Sequence, residues 1–422
     1  MDPMTASRNT LDLLLSQDYT EHAIHQGMNG YNEIPTTLVT FFKLGYDASQ
    51  LRDLYEFSAT DVRGWLPSPA HVTLESRFKH FGDTRYQRAY MNYFGLHLTQ
   101  CVDRPVKEFA AYHLSQIDPP ADSTDRTLLH GLFANSGRSL MLLSDAFQLP
   151  QALMVVQALT LAAVDWSATL ADMISRCDGI DTPQGGLLPA DFILGRIGQD
   201  STFSNPRPGR RKNGSPTMDE PLKECAKKNR IVYWVNRLDL RDINATCKQL
   251  ARLSVAVACA THKPGKPAFD IYLARLPSLV ATLPVLLDEI GGSQITFHTD
   301  PCLTLIRGVF LLIVIIYISQ LRPIIDRGLA PDCNDPGYQT DVVWDFIKDK
   351  AREMPTESLD FKWRDPVLMK LLLNMQELSV CYGQGEVDER PWYRAMAWHV
   401  AREWRGWCGR GGPEEEYLNI RL

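Results

Sequence analysis

A chain of 422 residues with 45% hydrophobic content is long enough to bury one large core or two ordinary ones, which excludes a largely disordered protein. Its formal net charge of -6 offers no basic field to draw a polyanion along the surface, so the expected partner is a small molecule and not nucleic acid. Nine cysteines, an odd number, run from Cys101 to Cys408 without a C-x-x-C pair; neither a disulfide framework nor a thiolate metal site is expected, and a reducing, cytoplasmic setting fits.

Residues 1–10 read as a short tail, without the basic region and apolar run of a secretory signal. Apolar residues then recur at three- and four-residue spacing through Leu11–Leu15, Leu38–Leu44 and Ala48–Phe57, with Gly and Asn clusters between them. The rhythm is helix, turn, helix. Asp47 or Ser49 offers a cap for a helix that puts Leu51, Leu54 and Tyr55 on one face. The pattern continues through Thr84–Leu98, Arg104–Leu114 and Ser139–Thr169, with Pro150 opening a new helix.

Residues 200–220 change character: Asn205-Pro206-Arg207-Pro208-Gly209-Arg210-Arg211-Lys212 is basic, rich in Pro and Gly, and reads as a flexible surface loop. It lacks the aromatic interleaving expected of a nucleic-acid site. Asp242–Thr261 and Phe269–Ile290 again read as helices, the second kinked or restarted by Pro277 and Pro284. Gly308–Ser319 is strongly apolar but about half the roughly 20 residues a transmembrane helix needs, so it reads as a buried helix. Trp392, Trp398, Trp404 and Trp407 alternate with Arg390, Arg394, Arg402 and Arg405; the last helix sealing a core is preferred to membrane docking. Strand alternation is hard to find. The expected fold is mostly α, a single large helical domain over 11–408 with a central substrate pocket and tails at 1–10 and 409–422.

Common motifs are missing from the sequence: no G-x-G-x-x-G after a strand, no G-x-x-x-x-G-K-[ST], no H-E-x-x-H and no G-x-S-x-G. Nothing here signals flavin, haem or metal. His22 and His25 lie three apart and could share a helix face, but two imidazoles with no third ligand in view do not make a metal site.

Four segments, taken together, carry a resemblance. Leu128-Leu129-His130-Gly131-Leu132-Phe133-Ala134 is similar to a tract H-P-L-I-H with only its first histidine kept. Met28 to Gly45, followed by Gln50-Leu51 and Tyr55, is similar to G-F-H-N-H-x-x-H-H-L followed by L-G-A, Q-L and Y, with Asn32 as the central asparagine. Phe269-Asp270-Ile271-Tyr272-Leu273-Ala274-Arg275, then Leu283-Pro284, is similar to F-D-F-F-L-x-H and L-P. Leu305-Ile306-Arg307, Tyr317, Arg327-Gly328 and Pro331 are similar to L-L-R, Y and R-G-x-P. In this order, from Leu11 to Gly385, the chain resembles the questin oxidase-like family, fungal tailoring enzymes related to the Baeyer-Villiger-type oxidases of anthraquinone pathways.

The resemblance implies an oxidoreductase of secondary metabolism that oxidises or ring-cleaves an aromatic polyketide, with NADPH and dioxygen as co-substrates. The departures fall on the histidines: Tyr31, Glu33, Thr36, Thr37, Ala134 and Arg275 stand where the family has imidazoles. Clustered imidazoles can deprotonate a phenol near neutral pH, giving an electron-rich anion that passes an electron to dioxygen. The corresponding roles here are His130 and Glu33 as bases, Tyr31 as proton donor, and Asn32, Arg275, Thr36 and Thr37 as substrate contacts. The plainer readings stand beside these: His130 as a buried helix histidine, Glu33 with Arg275 as a structural ion pair, and Asp270 as a helix cap. The alternative functions are a cofactor-independent cyclase or isomerase in the inherited pocket, and a catalytically silent metabolite binder.

Overall fold

The computed structural model describes residues 2–27, 30–101, 103–118, 126–178, 186–204, 220–263, 265–329, 332–333, 335–353, 361–385 and 387–408. Most of the basic segment, 205–219, and the C-terminal segment 409–422 lie outside the described residues. The helical class read from the spacing holds: the described residues are mostly α-helix, with two short strand pairings. The helices are α1 (Pro3–Glu21), α2 (Ile34–Lys43), α3 (Ala48–Ala59), α4 (Gln87–Gln100), α5 (Val106–Ser115), α6 (Leu128–Gly131), α7 (Ala134–Gln148), α8 (Ala152–Val164), α9 (Ala168–Asp178), α10 (Ala190–Gln199), α11 (Cys225–Val235), α12 (Ile243–Cys259), α13 (Leu276–Glu289), α14 (Pro301–Ser319), α15 (Val342–Arg352), α16 (Pro366–Tyr382) and α17 (Arg390–Glu403). Strands β1 (Ile117–Asp118) and β2 (Arg126–Thr127) pair antiparallel, and β3 (Phe269–Asp270) pairs in parallel with β4 (Trp407–Cys408).

Contacts gather the chain into two compact units, one of Met1–Ser175 with Pro284–Leu305, the other of Arg176–Leu283 with Ile306–Leu422. In the first, α8 is the hub: α1, α4, α5, α6 and α7 all pack against it. Its sequence, ALMVVQALTLAAV, is apolar on every face, which suits a helix surrounded by others, and every residue from Met154 to Val164 is buried. Each of its fully buried Val, Leu and Met side chains contributes about 1.5–3 kcal/mol of transfer free energy. In the second unit, α12 takes the equivalent place, packed on α10, α16 and α17.

Two boundaries differ from the sequence reading. Residues 1–10, expected as a tail, are helical from Pro3, because Asp2 caps the first turn by accepting from the Thr5 amide at 3.4 Å. Its early turns bury Ser7 and Thr10 instead of large apolar groups, so no hydrophobic period marks them. The Phe269 segment begins as strand β3, and its helix starts only at Leu276. Asp270 accepts from the amides of Tyr272 at 2.7 Å and Leu273 at 3.0 Å, as the capping reading requires, and opens a short 3-10 turn before α13. Pro277 then sits in the first turn of α13, and Pro284 is carried inside that helix.

The apolar run at Gly308 belongs to a longer helix, Pro301–Ser319, which is long and apolar enough to cross a membrane. Since 83% of that window is buried inside the protein, it matches the core-helix reading. At the other end of the molecule's sequence, Asp47 makes a full capping box with Gln50 at the start of α3, as its position predicted.

Gly131 shows how closely α6 approaches α8. A Cβ added there would stand 2.1 Å from the Ala162 carbonyl oxygen, a backbone atom that cannot swing aside. Gly131→Ala should therefore destabilise the full chain by roughly 2–4 kcal/mol in urea unfolding. A loss under about 0.5 kcal/mol, the size of a neutral surface change, would contradict this packing.

Candidate active site

The first unit brings together a carboxyl, a phenol, a guanidinium, an amide and an imidazole around the end of α8. Asp165 is the residue that ends this helix, its amide bonded to the Leu161 carbonyl at 2.9 Å. The turn there is held by a tight backbone contact: the Gly82 amide donates to the Ala163 carbonyl at 2.9 Å. Gly82 has φ +82°, and a Cβ at this position would meet the Trp166 carbonyl oxygen at 2.8 Å.

Tyr31 reaches Asp165 from the segment before α2, its hydroxyl donating to Oδ1 at 3.2 Å. The Asn135 amide points at Oδ2 from 3.5 Å. Arg138 lies over the Tyr31 ring, 4.6 Å from its centroid, and makes an ion pair with Glu33. The His25 ring meets the same tyrosine edge-on at 4.8 Å, where residues 25 and 31 form an antiparallel bridge. All of these residues are half-buried except Glu33 and Asn135, which are exposed, so the cluster opens to solvent.

An unusual backbone delivers two of these groups. Asn135, Ser136 and Gly137 are all left-handed, with φ of 50°, 64° and 70°. For Asn and Ser this conformation costs on the order of 1 kcal/mol each, and such strain is retained mainly where surrounding contacts impose it. The turn follows Ala134 directly and sends Asn135 toward Asp165 and Arg138 toward Tyr31 and Glu33.

The electrostatics favour a carboxyl that titrates near neutrality. Burial pushes Asp165 up to about 6, against the Tyr31 hydrogen bond and the Arg138 charge, which pull it down. Burial, then Arg138, lowers His25 below its ordinary value. His130 is 7% exposed, and burial pushes it down to about 4, so its imidazole is neutral at physiological pH. Its buried Nδ1 has no hydrogen-bond partner among the described residues.

The other expected site residues divide. Tyr31 and Glu33 are joined through Arg138. Asn32 is turned to structural bonds: its Nδ2 donates to Asp18 at 2.8 Å, and its Oδ1 accepts from the Ile34 amide at 3.0 Å at the start of α2. Thr36 and Thr37 lie in the first turns of α2, Thr37 buried and Thr36 half-buried. His130 sits in α6, whose start is fixed by the Thr127 hydroxyl accepting from the Leu129 amide at 3.2 Å. Arg275 belongs to the second unit, in the 3-10 turn Leu273–Arg275. Among the described residues no group of three or more His, Cys, Asp or Glu is arranged to hold a metal ion.

Asp165, Asn135 and Arg138 escaped the sequence reading. Two signals were present: Asp165 is the first charged residue after the apolar run of α8, and Asn135-Ser136-Gly137 is a turn-forming triplet inside a helix-length stretch.

The questin oxidase-like family matches residues 31–363, a stretch that contains Tyr31, His130, Asp165 and Arg275 and runs through both units. The chain belongs to this family. No curated protein matches it. Membership gives the general activity, an oxidase-type tailoring enzyme.

Because Arg138 favours the Asp165 carboxylate and disfavours a protonated His25, removing its charge should move both groups the same way. In Arg138→Leu, NMR titration should show the Asp165 carboxyl and the His25 imidazole both titrating at higher pH than in the parent protein. Unchanged midpoints would break the assignment of Arg138 as the charge that governs the site.

Proposed function

We propose that this protein oxidises a phenolic aromatic polyketide, an anthraquinone or its hydroquinone, with Asp165 as the main proton acceptor. What supports the reading is one observation: a carboxyl pushed up to about 6, bonded by Tyr31, at the open end of α8 in a questin oxidase-like chain. A base whose acidity lies near the working pH is the most effective one.

Asp165 takes the proton of a phenolic hydroxyl, leaving an electron-rich phenolate. Tyr31 steadies the carboxylate, and Arg138, anchored by Glu33, holds negative charge beside it. Loss of two protons and two electrons turns a hydroquinone into a quinone while dioxygen becomes hydrogen peroxide. In the Baeyer-Villiger form, one atom of dioxygen enters a ring C–C bond and the other leaves as water, with the hydride of NADPH and one proton from the medium balancing the step. No G-x-G-x-x-G loop occurs in the sequence, and no residue is assigned to that dinucleotide. His130, with a neutral imidazole, is a second proton acceptor in this proposal, and Thr36 and Thr37, in the same unit, are substrate contacts.

A carboxyl and a phenol that exchange protons also support a non-redox cyclase or isomerase, and oxygen dependence separates the two. With a hydroquinone-type anthraquinone, the protein should consume dioxygen, and Asp165→Asn should lower turnover roughly 10²–10⁴-fold. Because the ionised carboxylate is the active form, turnover should rise with pH through about 6. Product formed under strict anaerobiosis without NADPH would sink the oxidative reading in favour of the non-redox one.

A further inference from the structure

A second cluster of the first unit, away from Asp165, gathers polar groups of which two, on Tyr93 and Arg77, lack partners among the described residues. Tyr93 and His97 are one turn apart on α4, with ring centroids at 4.4 Å. His113 of α5 stacks on His97 at 5.4 Å and lies 6.0 Å from Tyr93. Arg77, in the turn region before α4, acts electrostatically on all three. Its guanidinium lies 4.4 Å above the Phe78 ring, and Nη1 donates to the Leu74 carbonyl.

The hydrogen bonding of this cluster is incomplete. Among the described residues, the hydroxyl of Tyr93, a side chain 6% exposed, has no partner, and the buried Nε of Arg77 has none either. No ion pair to Arg77 occurs among the described residues. A carboxylate that acts on Tyr93 is Glu75, which is exposed, hydrogen-bonded to Thr73 and also within reach of the Arg77 charge. Buried polar groups are almost always satisfied, by protein or by something bound, and leaving one empty costs about 1–3 kcal/mol.

The two unsatisfied groups are both donors, a guanidinium N–H and a phenolic O–H, and the two neighbouring imidazoles each carry a ring N–H. Neither the phenol O–H nor Arg77 Nε has an acceptor among the described residues, and Arg77 supplies the positive charge, burial holding both imidazoles toward the neutral form. We propose that Arg77, Tyr93, His97 and His113 form a binding site for a phosphate oxyanion, separate from the Asp165 site. The aromatic packing that runs from Trp166 through Phe81, Tyr90 and Phe94 to His113 separates the two. The phosphate can be free or carried on a dinucleotide such as NADPH; the chemistry recognised is the same.

The test titrates inorganic phosphate into the full chain by calorimetry. One saturable event is expected, weakened roughly tenfold or more in Arg77→Gln and in Tyr93→Phe, since hydrogen bonds to a charged ligand are worth about 1.5–3 kcal/mol. The ring resonances of His97 and His113 should shift with phosphate in the parent protein, a readout that does not depend on either variant folding. NADPH that displaces the phosphate identifies the dinucleotide as the source; phosphate binding untouched by NADPH identifies the free ion. No saturable binding, histidine resonances that stay still, or equal affinity in the parent and both variants would overturn the site. None of these outcomes depends on the oxidation assigned to Asp165.

Discussion

The constraint on which the first unit depends is the burial of one carboxylate. Asp18 in α1 is fully buried, and three side chains from three parts of the chain donate to it: His22 at 3.2 Å, Asn32 at 2.8 Å and Gln157 of α8 at 3.2 Å. A carboxylate taken out of water is tolerated only with such a set of donors, and breaking one of them leaves a charge without compensation. The bond to Asp18 raises His22 above its ordinary value, so the imidazolium form is favoured beside it. Asn32 couples this network to the start of α2, and Gln157 couples it to the helix that ends at Asp165. The two halves of the candidate site, the Tyr31–Glu33 segment and the end of α8, are thus set against each other by a carboxylate that binds Asn32 in the one and Gln157, two turns earlier in the helix, in the other.

The site joins a phenol and a buried carboxyl to a guanidinium and an exposed carboxylate, a set that can accept a proton near neutral pH. Burial raises the carboxyl toward the range in which an imidazole ordinarily titrates. The left-handed turn at Asn135-Ser136-Gly137 aims Asn135 and Arg138 into the cluster.

Much of the fold was legible from spacing and caps. The helices α2, α3, α4, α5, α8 and α12 lie where apolar periodicity placed them, because each buries a continuous face, and the Asp47 cap and the Asp270 cap act through side-chain oxygens a few residues away. The first turns of α1 were not legible, since Ser7 and Thr10 are buried without an apolar period. Tyr31 and Glu33 are singled out in the sequence by the resemblance alone, which names no partners for them.

By itself, the sequence determined the helical class, the helices α2, α3, α4, α5, α8 and α12, and the family, because these follow from local spacing and from residue identities in order. Only the tertiary structure decided that Tyr31 meets Asp165, 134 residues away, and that Asn32 faces Asp18 and the start of α2. It also decided that Asp165 is raised and His130 lowered. The physical reason is common to all three: acidity and hydrogen-bond partnership depend on desolvation and on which groups long-range packing brings within about 3 Å, and neither quantity is carried by the residue's own neighbours in sequence.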